Sequence, residues 1–181
     1  MTSKKLSIRD MSFIGLFTAL IAICAQISIP LPGGVPFTLQ TFAIQLAGII
    51  LGAKKGALAA IIYVLLGAVG LPVFARLMGG FNIVVGPTGG FLLSFPIMAF
   101  IIGIGATKNN VVSLAVGLFI GMTVNFLCGM MFFTIVMSSN LPAAFFATVL
   151  PFIPFEIIQI FFLAIIGIRL KTALAKGGLL L

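Results

Sequence analysis

The 181-residue chain is 62% hydrophobic and only 7% charged, with a net charge of +8 and a mean hydropathy of +1.38. Soluble domains carry about a quarter charged residues, so this chain lacks the polar surface that water would require. Histidine is absent and Asp10 and Glu156 are the only side-chain acids, which excludes imidazole catalysis and a carboxylate cage for a hard cation.

The basic residues sit in short clusters between apolar runs and not on one face, so they read as a membrane-topology signal and not as a nucleic-acid patch. Lys4, Lys5 and Arg9 precede the first apolar run, 11–29, which has no small-residue cleavage site before Pro30 and is read as a retained span. Gly15, Ala19, Ala22 and Gln26 form a stripe of small residues on it, suited to receiving another helix. Cys24 here, and Cys128 later, lie within apolar runs and are expected to be free thiols. The connection Ser28–Phe37 (SIPLPGGVPF) is apolar and rich in proline and glycine.

Two shorter runs follow, 38–53 and 56–71, short enough to be interrupted or tilted, with Lys54 and Lys55 between them. Tyr63, the sole tyrosine, is expected to pack within the second of these. The stretch Gly70–Gly90 (GLPVFARLMGGFNIVVGPTGG) is again apolar. Apolar loops exposed to water are costly, so both long connections are expected to fold back over the helices as a roof. Arg76 is the one basic residue in these loops. Its forked donors suit a ligand carboxylate, and equally a lipid phosphate at the interface.

Gly86-Pro87-Thr88-Gly89-Gly90 opens the fourth run, 88–106, and its backbone N–H groups form a helix start able to accept an anion. The fifth run, 111–137, carries Gly117, Gly121, Asn125 and Gly129 at four-residue spacing, a pattern of close helix packing with Asn125 as interhelical glue or pocket amide. The sixth, 149–168, begins in LPFIPFEIIQIFF. Glu156 is the only acid inside an apolar run, and Gln159 follows it by three residues. Inserting a carboxylate costs at least about 2.5 kcal/mol, so Glu156 is expected either to line a polar interior or to sit at the interface as an acid at a helix N-terminus. As a pocket group it would accept hydrogen bonds while Gln159 both donates and accepts, a pair suited to a neutral ligand with N–H donors and a carbonyl.

With six spans, every basic residue except Arg76 falls on one side, which predicts cytoplasmic N- and C-termini. The expectation is an all-α membrane protein, residues 1–181 forming one bundle of six transmembrane helices with apolar Pro/Gly-rich outer loops. A G-x-x-x-x-G-K-[ST] motif is absent, so ATP-driven work would need another chain. One buried acid without histidine or a metal set argues against an enzyme.

Three runs then coincide with a known pattern. Gln26–Gln40 (QISIPLPGGVPFTLQ), Gly67–Ala75 (GAVGLPVFA) and Gly86–Phe91 (GPTGGF) closely resemble the BioY family, the biotin-specific S components of energy-coupling-factor (ECF) transporters. The resemblance covers nearly the whole chain. It implies a cell-membrane protein of vitamin uptake with a biotin pocket on the outer side, roofed by the first and third loops. It also implies as partners a transmembrane coupling protein and two ATPase subunits, with no cofactor in this chain. Thr38, Gln40, Thr88, Gly89, Gly90 and Phe91 enter the expected ligand site through these motifs, beside Glu156, Gln159, Arg76 and Asn125. Gly15, Ala19 and Ala22 become the expected face toward the coupling protein. The family's last helix commonly reads P-G-D-x-x-K; here Phe155, Glu156 and Gln159 keep the acid and lose the cation, and Phe91 replaces a common tyrosine. An S component for another vitamin, or a structural membrane subunit without a ligand, is the alternative expectation.

Overall fold

The computed structural model describes residues 6–30 and 35–177. Lys4, Lys5 and part of the first outer loop, 31–34, lie outside the described residues. Helix α1 (Ile8–Gln26) starts at a reciprocal cap, in which Ser7 Oγ accepts from the Asp10 amide and the Asp10 carboxylate accepts from the Ser7 amide. Strands β1 (Ser28–Ile29) and β2 (Phe37–Thr38) then pair antiparallel and pin the two ends of the proline-rich loop together.

Helices α2 (Gln40–Leu51) and α3 (Ala53–Ala68) are separated only by Gly52, whose φ of +79° lies in the left-handed region that glycine enters without penalty. The chain reverses there so tightly that a Cβ on Gly56 would fall 2.9 Å from the Gly48 Cα. These are the two runs expected to be short. The long connection that follows α3 holds a 3₁₀ turn at Ala75–Leu77 and the single-turn helix α4 (Phe81–Val84). Phe74, Ala75 and Val84 within it are buried, so the apolar connection does fold back onto the bundle.

Helix α5 (Gly89–Gly105) is the central element: 61% of its most apolar 18-residue stretch is buried, against 28% for α1 and 33% for α6 (Val111–Val136). The glycine stripe on α6 makes its approach to α5 possible. Gly117 lies against Gly105, Gly121 against Met98 and Ile102, and Gly129 under the Phe91 ring. Close packing is therefore what that stripe does, as small residues allow in a membrane.

Two features depart from the expected segmentation. The connection after α6 contains an additional helix, α7 (Leu141–Thr148), capped by Asn140 through Ala143 N–H···Oδ1 at 2.8 Å with Pro142 in its first turn. The last helix, α8 (Ile153–Lys176), starts after a 3₁₀ turn and runs well past residue 168, because its basic end is long enough to leave the apolar layer. By length and composition, four described segments can each cross a membrane: Ile8–Gln26, Gly89–Lys108, Val111–Val136 and Leu141–Lys176. The chain is a mostly helical, multi-pass membrane protein.

Candidate ligand-binding site

A cavity of about 280 Å³ lies between the bundle and the two apolar loops. That is near the lower end of small-molecule sites, about 300–1,000 Å³. Loop residues Val35–Thr38, Phe74–Arg76 and Gly86–Thr88 form one wall, and α2, α5, α6, α7 and α8 supply the others.

Glu156, in the first turn of α8 and 3% exposed, lines this cavity. Thr41 Oγ1 donates to its Oε1 at 3.2 Å and Gln45 Nε2 donates to its Oε2 at 3.0 Å. Both donors come from one face of α2, four residues apart. Hydrogen bonds to a charged group contribute about 1.5–3 kcal/mol each, enough together to offset the insertion cost of the acid. Glu156 is thus a buried group in the first turn of α8, held by two donors from α2.

The next polar layer is Gln40, whose Nε2 donates to the Tyr63 hydroxyl at 2.8 Å, while that hydroxyl donates to the Val73 carbonyl at 3.1 Å. Tyr63 also meets the Phe74 ring edge-on, and Phe74 rests on Gly67, where any Cβ would strike it. Gln26 completes the attachment of this loop. Its Nε2 donates to the carbonyls of Val73 and Phe74, and its Oε1 accepts from the Leu77 amide at 2.8 Å. That clamp holds Arg76 and Leu77 at φ of 62° and 55°, a left-handed conformation that costs about 1 kcal/mol or more for each such residue. The strained turn presents Arg76 at the cavity rim, with the residue itself exposed.

Aromatic and thioether side chains make up the remaining walls: Phe37, Phe91, Phe95, Met122, Phe126 and Phe152. Asn125, 1% exposed, lines the cavity, but its Nδ2 is engaged by the Phe91 carbonyl at 3.0 Å and Ser94 Oγ at 2.8 Å. Its amide therefore braces α5 against α6, and its oxygen remains the group available to a guest.

Of the residues expected from the sequence, the fold brings Thr38, Gln40, Arg76, Thr88, Phe91, Asn125 and Glu156 to the cavity wall. Three are placed elsewhere. Gln159 is buried behind Glu156, outside the lining, with an Oε1 that has no partner among the described residues. Gly89 and Gly90 face neighbouring segments of the bundle: a Cβ on Gly89 would strike the Val84 carbonyl, and one on Gly90 would lie 2.5 Å from the Cys128 carbonyl oxygen. The amides of Gly89, Phe91 and Leu92 donate to Gly86 and Thr88 carbonyls within the turn. Thr41 and Gln45 were missed, although two polar residues four apart in a mostly apolar helix are a readable sign of a polar partner. Met122, Phe126 and Phe152 had no such sign, because an apolar pocket wall and an apolar core have the same composition.

On α1, Gly15 and Ala19 are exposed and Ala22 is half-buried, and nothing lies within 4 Å of a Cβ built on Gly15. Cys24 and Cys128 are free thiols, as expected.

Comparison with known proteins places this architecture. The model of the BioY family matches residues 1–176. The biotin transporter BioY of Thermotoga maritima is 43% identical over 165 residues, covering 90% of this chain and 96% of that protein. A probable biotin transporter BioY of Pyrococcus horikoshii is 42% identical over 163 residues, with the same coverage of each. Among solved structures, the S-component for biotin from an ECF-type ABC transporter superposes with a TM-score of 0.82 at 26% identity, covering 95% of each chain. With a family model spanning all but the last five residues and relatives matched nearly end to end, this chain belongs to the BioY family.

Proposed function

We propose that the chain binds biotin in the roofed cavity and is the substrate-specific component of an ATP-driven ECF transporter that takes biotin up across the cytoplasmic membrane. The observation that carries this reading is the buried Glu156 carboxyl, held by Thr41 and Gln45 on the wall of an otherwise aromatic cavity. Biotin's ureido ring has N–H donors for that carboxyl and a carbonyl for a neighbouring donor. Its thiophane ring and valeryl chain suit the phenylalanine walls. Its carboxylate reaches the rim, where Arg76 offers forked donors and the Thr88 hydroxyl a further one. The role is binding and delivery.

Six crossings with both termini in the cytoplasm fit the charge distribution best, since they leave Arg76 alone on the outer side beside the cavity mouth. The assembled transporter adds a coupling protein and two ATPases, and the exposed Gly15 and Ala19 face of α1, with Ala22, is the surface offered to the coupling protein. Titration calorimetry of the purified chain with biotin, thiamine and riboflavin tests the reading. Binding of biotin alone is expected. Preference for either of the other vitamins, or no binding at all, overturns it.

A further inference from the structure

An amide side chain reads donors or acceptors according to which end it turns to a ligand, and the fold leaves Asn125 one orientation. Its Nδ2 lies 3.0 Å from the Phe91 carbonyl oxygen, which can only accept, so the nitrogen belongs on that side. The other Nδ2 hydrogen goes to Ser94 Oγ at 2.8 Å. Ser94 can receive it because its own hydrogen is committed to carbonyls one turn back on α5, Gly90 at 2.8 Å and Phe91 at 3.1 Å. Both residues are buried. Polarity therefore passes from backbone carbonyl to serine hydroxyl to asparagine amide. It ends at Asn125 Oδ1, on a residue that lines the ligand cavity, while Ser94 stands behind it outside the lining.

Given the biotin site proposed above, on which this rests, we infer that Ser94 is a positioning residue. It locks the Asn125 amide so that α6 presents an acceptor, and Asn125 and Glu156 together select a guest with two N–H donors.

The neighbouring side chains have the same polarity. The hydroxyl hydrogens of Thr41 and Thr148, which also line the cavity, are committed to Glu156 at 3.2 Å and to the Ala144 carbonyl at 2.8 Å. With Glu156 ionised, the polar side chains that α6, α7 and α8 contribute to the lining offer oxygen lone pairs and no donor among the described residues. The two acceptors stand on different helices that meet here. Gln45 Nε2 lies 3.9 Å from the sulfur of Met122, three residues before Asn125 on α6, and donates to Glu156 on α8 at 3.0 Å. A cyclic urea carries its two N–H groups on either side of the carbonyl, pointing apart, and acceptors on separate helices suit that divergence. A ring oxygen in place of either N–H would set lone pair against lone pair.

Calorimetry of the full-length protein in detergent tests this, with biotin and the two cyclic carbamate analogues in which one or the other ring N–H is replaced by oxygen. Each carbamate has nearly the shape of biotin and lacks one donor, and the wild type is expected to bind it at least about tenfold more weakly. Ser94→Ala releases one Nδ2 hydrogen and lets the amide turn. Its discrimination against one of the carbamates is expected to shrink several-fold, roughly the effect of one neutral hydrogen bond, and that against the other, whose missing N–H faces Glu156, to persist. A purely structural role for Ser94 would weaken all three ligands together with unchanged ratios, and that result overturns the inference. If Ser94→Ala does not fold, Asn125→Leu, of similar volume and without an acceptor, is expected to erase the same discrimination, and its persistence overturns the inference. Equal wild-type affinity for biotin and both carbamates overturns the two-donor selection and leaves the biotin reading standing. Absence of biotin binding overturns both.

Discussion

Gln45 and Glu156, 111 positions apart in the chain, meet across α2 and α8 with the Gln45 amide donating to the Glu156 carboxyl at 3.0 Å. The contact ties α2 to the last helix at the wall of the cavity. Gln45→Leu removes one donor from a buried acceptor and is expected to destabilise the protein by about 2 kcal/mol. Thermal unfolding in detergent measures this. Glu156→Gln keeps the shape of the group and loses its acceptor-only character, so biotin affinity is expected to fall at least about tenfold, the loss of one charge-assisted hydrogen bond. Unchanged affinity in calorimetry of Glu156→Gln would remove Glu156 from the ligand site.

Arg76 is exposed at the rim, and an exposed ion pair contributes at most about 1 kcal/mol. Arg76→Gln is therefore expected to weaken biotin by several-fold and to leave biotinamide unaffected, because only the free acid presents a carboxylate. Competition binding with the two ligands distinguishes this from a general loosening of the loop, which would weaken both.

The Gln26 side chain accepts from the Leu77 amide and, through an Nε2 that also donates to the Ala22 carbonyl of its own helix, shares its donors with the carbonyls of Val73 and Phe74, so it fastens this part of the roof to α1. Gln26→Leu keeps the helix and removes the clamp. Biotin dissociation is expected to accelerate by on the order of tenfold, at about 1 kcal/mol for each of the bonds lost and partial replacement by water. Stopped-flow release of a fluorescent biotin analogue measures it, and an unaltered off-rate would mean that the roof is held by its apolar contacts alone.

Two glycines are expected to answer oppositely to a larger side chain. At Gly90 a Cβ lies 2.5 Å from the Cys128 carbonyl, so Gly90→Ala must push α5 from α6 and is expected to cost about 1–3 kcal/mol of stability. At Gly15 a Cβ meets nothing within 4 Å. Gly15→Leu is expected to leave unfolding temperature and biotin binding intact while abolishing co-purification with the coupling protein. Retained assembly would assign that face to lipid.

Part of the cavity wall was legible in the chain. An acid in an apolar run must find polar partners, which singled out Glu156, and a lone cation in an apolar loop singled out Arg76; both line the cavity. The motifs around Gln26–Gln40, Gly67–Ala75 and Gly86–Phe91 carried the family. Helix α7 was passed over because its composition matches its apolar surroundings, although Asn140 and Pro142 mark its start. Gln159 was grouped with Glu156 from their shared helix face, yet three residues on a helix differ by about 60° of rotation, enough to turn Gln159 out of the cavity.

Membrane insertion acts on each segment separately, through its apolar length and flanking charge, and so the solvent class, the order of the helices and the basic end of the bundle are properties of the sequence by itself. Which side chains share the cavity depends on how far each helix is rotated and how closely its neighbours approach. Those are set by glycine contacts such as Gly105 with Gly117, and by hydrogen bonds such as Gln45 to Glu156, between residues remote in the chain. No local pattern encodes such distances. Only the packed bundle decided that Thr41 and Gln45 hold the acid while Gly89 and Gly90 hold the helices.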